Sequence, residues 1–403
     1  MPASPSTARA INDRLALRLL QQEGPLTAGR LKQLTGLSRP TVADLVERLT
    51  AAGLIAVVGE SGEQRRGPNA RVYGIVADRA QLAALDVRTE GVTVVVADLL
   101  GTELGRASLP IAGDAGTGAA VEQAVSLVER TAKEAGAERL HTVGIGAPGL
   151  IDPASGELRD SSGLPEWHRR QIAALQERLP ARVLVENETN LAALAEQRDG
   201  VARDRETFVL LWLGHGTGAA VVLDGALRRG ASGGTGEIGF LPVPGTTTLP
   251  SATDCEGGFH SLAGSAAIAA LAAEHGVTAD APPHEPHAAA LVRRAVATPG
   301  DPGADRFLDV LADRVAIGAA SVIAVLDPGC VVLGGETGQA GGQALAARVS
   351  RRLVRMSPLQ TEVRASSLGG AAVLRGALLT ARDGAQDALF PPGGRPTPFP
   401  GSH

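Results

Sequence analysis

The sequence predicts a small, mainly helical N-terminal domain followed by a larger α/β body that is divided into two lobes. The first 75 residues contain three amphipathic helical stretches and then a short hairpin pattern. From about residue 80 the pattern changes to alternating apolar strands and helices. A hairpin pattern opens each half of this body and is followed by helix–strand units, which indicates two lobes with a cleft between them.

The three N-terminal helices are predicted from their apolar spacing and from residues that start or end a helix. The first helix covers residues 9–22, and a Gly-Pro pair ends it. Thr27 can cap a short second helix, which Gly36 ends. Ser38 can cap a third helix, whose apolar stripe consists of Val42, Leu45, Val46 and Leu49.

Two short helices around a tight turn, followed by a hairpin, are the plan of a winged helix-turn-helix. The third helix would enter the major groove of DNA with its first turn facing the base edges, and arginines at the hairpin tip would reach phosphate or the minor groove. Asp44 either accepts from cytosine N4 or repels phosphates. A helical bundle that makes protein contacts is the alternative. The predicted DNA-binding residues are Ser38, Arg39, Thr41, Asp44, Arg65 and Arg66.

The elements of the body are predicted from the same patterns. Residues 83–104 form a hairpin with a third strand to follow, residues 277–305 form a loose connection around a short helix, and the Pro/Gly-rich tail from about residue 384 is disordered. The predicted domains are therefore 1–76, 77–383 and the tail 384–403. Further strands are predicted at 141–148, 182–188, 208–214, 218–227 and 330–335, and helices at 118–136, 191–197, 262–275, 305–326, 341–355 and 370–382.

Composition and charge exclude several classes of protein. Of the 403 residues, 44% are hydrophobic, 20% charged and 2% aromatic, which is typical of a soluble globular protein. No stretch has the roughly 18 apolar residues of a membrane span, and the N-terminus lacks the pattern of a secretory signal, so a cytoplasmic location is expected. Two cysteines are too few for a disulfide framework. Residues 1–75 carry ten Arg or Lys against six Asp or Glu, whereas the whole chain has a net charge of −5, so contact with nucleic acid is expected at the N-terminus.

Several blocks of the sequence match a known family in order. Residues 213–240 (LGHGTGAAVVLDGALRRGASGGTGEIGF) closely resemble the signature of the ROK family of repressors, open reading frames and sugar kinases. Residues 143–158, 185–196 and 326–336 resemble three further family blocks, and residues 35–55 resemble the family's winged helix-turn-helix. The resemblance covers nearly the whole chain. It implies a two-lobed actin-like or hexokinase-like ATPase fold behind a DNA-binding domain, as in regulators of the xylose and N-acetylglucosamine repressor type.

The first phosphate hairpin of the family's kinases is altered in this chain. A kinase needs glycines there, because backbone N–H groups must approach the phosphates. The kinases have Asp-x-Gly-Gly-Thr, whereas this chain has Asp86 followed by Arg88, Thr89 and Glu90. The larger side chains fill space that phosphates would occupy, and Glu90 adds a negative charge, so the resemblance does not imply use of ATP.

Other kinase positions are partly retained. The second phosphate loop, Gly214–Gly218, and the pair Gly334-Gly335 are present, either as tight turns of the fold or as parts of a nucleotide site. The kinase base, an Asp in an Asn-Asp-x-Asn block, corresponds to Glu188. The extra methylene would displace its carboxylate by about 1 Å, so Glu188 either acts as a poorly placed base or lines the cleft and binds ligand.

The sugar pocket that the resemblance implies is also changed. Gly163 replaces an Asn in an Asn-Leu-Pro-x-Trp block, and Phe240 replaces the His that follows the Gly-Glu-Ile-Gly motif. Asn187, Glu188 and Glu237 remain to accept hydrogen bonds from a polar ligand. Phe240 either stacks on a sugar face or fills the cavity. The predicted ligand-binding residues are therefore Asn187, Glu188, Glu237 and Phe240.

The zinc module of the family, Cys-x-Cys-Gly-x-x-Gly-Cys-x-Glu, would fall in residues 251–265. Only Cys255 remains there, displaced from a ligand position, and Phe259 and Ser261 stand where the last Cys and the Glu are expected. Because tetrahedral zinc needs about four ligands, neither a metal nor another cofactor is predicted. The remaining histidines of interest, which are expected to be solvated side chains, are His260, His284 and His287.

Together these observations predict a cytoplasmic transcriptional regulator, a repressor by family precedent, with a catalytically degenerate sugar-kinase-like domain that senses a sugar, a sugar phosphate or another sugar-derived ligand. One winged module contacts too few bases for tight selection, so a homodimer or homotetramer on an inverted repeat of operator DNA is expected. Ligand binding between the lobes would change their closure and the spacing of the DNA-binding domains. An ATP-dependent sugar kinase with an added DNA-binding domain and a ligand-independent regulator are the alternatives.

Overall fold

The computed structural model describes residues 5–61, 69–88, 91–111, 116–159, 166–251, 256–281 and 285–389. Three units follow one another along the chain, and we call them the head, the N-terminal lobe and the C-terminal lobe. No helix in these ranges is both long enough and apolar enough to cross a membrane.

The head is a winged helix-turn-helix, and its second and third helices begin at the predicted residues. Thr27 accepts a hydrogen bond from the backbone N–H of Arg30 (3.2 Å), and Gly36 ends the helix in the left-handed conformation (φ 70°). Ser38 caps the third helix by accepting from the N–H of Thr41 (3.3 Å). The elements are α1 (Pro5–Gln22), β1 (Leu26–Thr27), α2 (Ala28–Thr35), α3 (Arg39–Ala51), β2 (Ile55–Ser61) and β3 (Ala70–Ile75).

Strand β1 is not predicted by the sequence, because two residues are too few to show an alternating pattern. Leu26 pairs with Tyr73 of β3 in an antiparallel register, so the strand order of the head is β1-β3-β2. This pairing ties the hairpin to the start of α2 and fixes the wing relative to the helices.

The N-terminal lobe is built on a mixed sheet with the order β6-β5-β4-β7-β8. The final helix of the chain, α12 (Ala372–Leu389), returns to this lobe and packs on β4 and β7. A Cβ atom at Gly144 would lie 2.2 Å from the carbonyl oxygen of Ala377, so glycine permits this close packing. The other elements are β4 (Gln81–Arg88), β5 (Gly91–Asp98), β6 (Glu103–Pro110), α4 (Thr117–Glu134), β7 (Leu140–Ala147), α5 (Glu166–Arg178) and β8 (Arg182–Asn187).

The C-terminal lobe repeats the same sheet topology in the order β11-β10-β9-β12-β13. In both lobes an antiparallel meander is extended by two parallel strands, which confirms the two-lobed fold. Its elements are α6 (Glu188–Arg198), β9 (Phe208–Leu213), β10 (Thr217–Leu223), β11 (Ala226–Arg228), α7 (His260–Ala263), α8 (Ser265–Glu274), α9 (His287–Val296), α10 (Pro302–Leu326), β12 (Cys330–Gly334), α11 (Gly335–Met356) and β13 (Glu362–Ala365).

Several predicted boundaries are wrong. The helix predicted at 262–275 is two helices, because Gly264 adopts an extended conformation (φ −72°, ψ 161°) between them. Helix α11 starts six residues before the predicted position and is kinked at Gly342. The tail does not begin at residue 384, because α12 continues to Leu389, where Ala385 and Leu389 are buried in the core. Residues 390–403 lie outside the described part of the chain.

Candidate functional site

The exposed face of α3 carries four of the predicted DNA-binding residues, while its apolar stripe is buried in the core of the head. Arg39 is exposed and makes no hydrogen bond or ion pair within the described residues. The hydroxyl groups of Ser38 and Thr41 lie 2.8 Å apart and share a hydrogen bond. The start of α3 therefore presents one free guanidinium beside a pair of hydroxyl groups.

Asp44 does not stand alone on this face. It forms an ion pair with Arg48 one helical turn later, and Arg48 also donates to Asp13 of α1 (2.6 Å). The hydrogen bond that Arg48 donates to Asp13, together with the charges of both aspartates, raises the pKa of Arg48 despite partial desolvation. This network joins α3 to α1 and offsets the negative charge of Asp44.

The wing arginines Arg65 and Arg66 lie outside the described residues. The strands that lead to them are in register, with Glu60 opposite Arg71, and Asn69 donates to Glu60 (3.2 Å). Arg71 is exposed on β3. Sequence reasoning did not select Arg71, although its position next to the polar tip was a usable signal.

In the body, Asn187 and Glu188 lie where β8 ends and α6 begins. Asn187 caps α6, because its side-chain oxygen accepts from the N–H groups of Thr189 (2.8 Å) and Asn190 (3.3 Å). Its amide nitrogen donates to the carbonyl oxygen of Gly149 (2.9 Å). Asn187 therefore shapes this edge of the cleft and retains one amide hydrogen for a ligand.

Glu186, which sequence reasoning missed, is a buried acid at the same strand end. It accepts from Nε of Arg229 in the C-terminal lobe (2.6 Å) and from the side-chain amide of Asn190 (2.9 Å). The backbone N–H of Asn187 also donates to it (2.9 Å). The pair Glu186–Arg229 thus joins the two lobes beside the predicted ligand residues. The available signal was the position of Glu186 at the end of an otherwise apolar strand, two residues after Leu184 and next to Asn187.

A second ion pair joins the lobes at the altered phosphate hairpin. Nε of Arg88 donates to Asp86 (3.0 Å), and its guanidinium also pairs with Glu336 in the first turn of α11. Burial alone would lower the pKa of Arg88, but Asp86, Glu336 and nearby Glu188 together raise it above its usual value. Arg88 is therefore a permanent cation among three acids. Thr89 and Glu90 lie outside the described residues.

The retained glycines of the second loop are close to side chains of the protein itself. A Cβ at Gly214 would lie 2.6 Å from Nε1 of Trp212 and 2.9 Å from a carboxylate oxygen of Glu336. At Gly335, where φ is 75°, it would lie 2.5 Å from the carbonyl oxygen of Leu213. Internal packing by itself explains why these positions are glycine.

Glu237 and Phe240 lie on one short 3₁₀ turn, after strand β11. Glu237 is exposed to the cleft, yet the surrounding protein desolvates its carboxylate and raises its pKa. The ring of Phe240 is 38% exposed and meets the ring of His260 edge to face, with centroids 5.4 Å apart. Phe240 therefore neither fills a closed cavity nor points into bulk solvent.

Sequence reasoning placed His260 wrongly, because it is a half-buried side chain rather than a solvated one. Its Nδ1 accepts from the backbone N–H of Thr217 (3.3 Å) and lies 3.1 Å from the hydroxyl oxygen of Thr217. Burial lowers the pKa of His260, so the ring is neutral at pH 7 with its proton on Nε2. A Cβ at Gly239 would lie 2.1 Å from that Nε2. His260 thus connects the second loop to the turn of Phe240.

The described part of the region where the family has its zinc module packs into the core of the C-terminal lobe. Phe259 is fully buried and lies against Gly318, where a Cβ would be 2.4 Å from its ring. The hydroxyl of Ser261 donates to the carbonyl oxygen of Gly257 (3.1 Å). Within the described ranges, no three His, Cys, Asp or Glu side chains converge as a metal site requires. Predicted positions outside these ranges are Gly163, Cys255 and His284.

Two family patterns match the chain. The pattern described as the ROK family matches residues 83–383, which include both lobes. The pattern described as the MarR family matches residues 11–67, which include the head helices and the start of the wing.

The curated relatives include regulators and a kinase. Two Escherichia coli proteins, named DNA-binding transcriptional dual regulator NagC (strain K12) and N-acetylglucosamine repressor (O157:H7), are each 26% identical over 243 residues. The match covers 58% of this chain and 58% of each relative. The glucokinase of Thermotoga maritima is 29% identical over 218 residues, or 49% of this chain and 65% of the kinase. The chain therefore matches less than two thirds of the length of these relatives.

One solved structure matches head and body together. It is described as a ROK family transcriptional regulator, homolog of the E. coli MLC protein, and superposes with a TM-score of 0.75 over 95% of this chain and 98% of that chain. The sequence identity is 21%, so the likeness concerns the fold.

Proposed function

Because the chain belongs to the ROK family, we propose that it is a DNA-binding transcriptional repressor whose body senses a sugar or sugar-derived ligand and does not phosphorylate it. The observation that carries this proposal is the guanidinium of Arg88, which pairs with Glu336 across the cleft where the family's kinases have glycines. The winged head and the names of the two E. coli relatives support the same function.

In this proposal α3 enters the major groove, and Arg39 is the residue that reads bases. Its guanidinium is exposed and unpaired within the described residues, as a contact to guanine requires. Ser38 and Thr41 fix the first turn and offer hydroxyl groups to phosphate or bases. Asp44, paired with Arg48, limits binding to non-cognate DNA. The wing residues Arg65 and Arg66 supply phosphate or minor-groove contacts.

The proposed effector site lies where the two lobes meet, along Asn187, Glu188, Glu237 and Phe240. The two carboxylates accept hydrogen bonds from ligand hydroxyl groups, and the half-exposed ring of Phe240 packs on the apolar face of a sugar. His260 belongs to this set, because its neutral ring holds Thr217 and meets Phe240.

An ATP-dependent sugar kinase with an added head is the alternative, and the Thermotoga glucokinase supports it. Two features argue against it. Among the described residues, three acids, Asp86, Glu188 and Glu336, act on the guanidinium of Arg88, and this excess of carboxylates opposes the binding of a triphosphate. Gly214 of the second loop is packed against Trp212 and Glu336, which leaves this glycine less free to receive phosphates.

We also propose a homodimer or homotetramer that binds an inverted repeat in the cytoplasm. Several apolar side chains at the ends of α10 and α11 are exposed and would be buried by a second copy of the chain. These are Val325, Val354 and Met356, with 81%, 77% and 50% of their surface exposed.

A gel-shift on the promoter region of its own gene, with and without a panel of sugars and sugar phosphates, tests the proposal. We expect a specific shift that one sugar ligand changes. Arg39→Ala should weaken specific binding by about 1–3 kcal/mol, whereas Arg9→Ala, an exposed arginine on α1, should not. A specific shift that no ligand changes would support the ligand-independent regulator. ATP-dependent phosphorylation of a hexose would support the kinase.

A further inference from the structure

A cavity of about 520 Å³ lies between the head and the body, well apart from the interlobe cleft. Helix α1 forms one wall, and the end of α6 together with α12 forms the other. Four arginines line it, two from the head (Arg14, Arg18) and two from the body (Arg198, Arg382). We call it the junction cavity. Its volume is within the range of small-molecule sites, about 300–1,000 Å³.

The carboxylates that line the junction cavity all have arginine partners. Asp387 pairs with Arg14 and Asp383 with Arg198. Asp199 pairs with Arg375, which lies outside the cavity lining. Within the described residues, therefore, no lining carboxylate forms an ion pair with either of the other two arginines.

Those two arginines, Arg18 of the head and Arg382 of the body, both line the cavity. Arg18 makes no hydrogen bond or ion pair within the described residues. Within the described residues, Arg382 donates to a neutral group, the side-chain oxygen of Gln21, when that amide is oriented to satisfy its neighbours (2.5 Å from Nε and 3.2 Å from Nη2). Burial lowers the pKa of Arg382; the nearby carboxylates of Asp383 and Asp199 oppose this shift, and Arg375 and Arg198 add to it. The cavity therefore has an excess of positive charge.

We propose that the junction cavity binds a small phosphomonoester whose remaining part carries hydroxyl groups. A guanidinium donates two parallel hydrogen bonds to phosphate oxygens, and two guanidiniums without carboxylate partners can enclose one phosphate. The amides of Gln21, Gln22 and Gln386 line the same cavity and bind hydroxyl groups. The paired carboxylates at its wall disfavour a polyanion such as the DNA backbone.

The position of this site gives it a regulatory consequence, and this step rests on the proposed DNA-binding function. A phosphate held by Arg18 of α1 and Arg382 of α12 joins the head to the body. The ligand therefore favours the arrangement in which these helices are close, and by linkage the DNA affinity of the head changes with it. The effector in the interlobe cleft would act independently of this joint.

Calorimetry of the full chain tests the site without DNA. The probes are inorganic phosphate, glucose 6-phosphate and glucose. We expect both phosphate probes to bind and to compete with each other, and Arg18→Gln to weaken them by about tenfold or more. Arg9→Gln is the matched control, because Arg9 is exposed on the same helix outside the cavity. Arg382→Gln should have the same effect as Arg18→Gln, with its fold checked by circular dichroism.

Two outcomes overturn the proposal. One is the absence of binding heat with either phosphate probe. The other is binding of glucose 6-phosphate that Glu237→Gln removes and Arg18→Gln leaves unchanged, since this would place the ligand in the interlobe cleft. Failure of the gel-shift has no bearing on these measurements, so the junction cavity and the proposed function are tested separately.

Discussion

The two ends of the interlobe cleft are each crossed by one ion pair, and the two pairs differ in burial. One end carries the altered phosphate hairpin, and we call it the Arg88 end. There 22% of the side chain of Arg88 is exposed, and the side chains of its partners Asp86 and Glu336 are 7% and 14% exposed. The other end lies beside Asn187 and Glu188, and we call it the Glu186 end. There the side chain of Arg229 is 47% exposed and pairs with Glu186, whose side chain is 7% exposed. The same chemistry therefore occurs in a largely dry site at one end and in a half-hydrated site at the other.

This difference indicates where the cleft can open. Opening the lobes at this end would separate Glu336 from Arg88, which keeps Asp86 on its own strand, and would leave the largely buried carboxylate of Glu336 without its cation, which is costly. Arg229 can turn into water, while Glu186 keeps its hydrogen bonds from Asn190 and from the backbone N–H of Asn187. We therefore expect the lobes to stay joined at Arg88 and to open at Glu186, next to the proposed ligand residues.

The largest effect is expected from Arg88→Ala. It leaves Asp86 and Glu336 buried without their cation, so the free energy of unfolding should fall by about 3 kcal/mol, as for other broken buried pairs. Urea denaturation measures this change. The double variant Arg88→Ala/Glu336→Gln should recover part of the loss, because it removes one of the unpaired charges. A loss below about 0.5 kcal/mol would show that this end does not hold the lobes together.

For Arg229→Ala the free energy of unfolding should fall by only about 1 kcal/mol or less, because the guanidinium is half hydrated and Glu186 keeps other hydrogen-bond donors. The adjacent Arg228 is the matched control, since it is also 47% exposed but pairs with Asp224, which is 89% exposed. Arg228→Ala should leave both stability and ligand affinity unchanged. If Arg229→Ala and Arg88→Ala lowered the free energy of unfolding equally, the expected difference between the two ends would be contradicted.

Features set by local chemistry were predicted from the sequence. Thr27 and Ser38 cap helices because their hydroxyl groups reach an N–H three residues later, and Gly36 ends a helix because it accepts a positive φ. The alternation of the two hairpins in the body gave the two lobes. Strands β1 and β13 were missed, since two and four residues are too short for a pattern.

The contacts of the candidate site were less predictable, because they join distant parts of the chain. The sequence shows that Arg88 replaces a glycine, but its partner Glu336 is 248 residues away. Glu186 was missed because its partner lies in the other lobe. His260 was assigned to solvent because it falls in a degenerate zinc module, whereas folding places it under the second loop. Asn187 and Glu188 could be predicted to lie together, because they are adjacent in the sequence.

The pH dependence of stability should test the burial of His260, which contacts Phe240 in the proposed ligand site. Burial lowers the pKa of folded His260 below its ordinary value of 6.5, so the unfolded state binds a proton first as the pH falls. Stability is therefore complete above pH 6.5 and declines below it, by at most about 1.4 kcal/mol per pH unit. His260→Asn should flatten this decline in urea titrations between pH 7.5 and 5.5. Exposed His287→Asn is the control, and an unchanged slope in His260→Asn would contradict the expected burial.

The smallest effect on stability is expected from Glu237→Gln. Because desolvation raises the pKa of Glu237, its stabilising contribution is present below the ordinary pKa of 4.5 and is lost as the pH rises through the folded value. The variant should therefore unfold at a slightly higher temperature than the wild type at pH 7.5 and at the same temperature at pH 4. Glu177→Gln, at an exposed site on α5, controls for the loss of one charge.

Calorimetry with the sugar identified by the gel-shift completes this test. A more stable Glu237→Gln protein that binds the sugar more weakly would show that the carboxylate is retained for the ligand despite its cost to the fold. A more stable protein with unchanged affinity would indicate that the ligand's hydroxyl groups bind Glu188 and Asn187 instead. These residues lie next to the Glu186–Arg229 pair, at the end of the cleft that we expect to open.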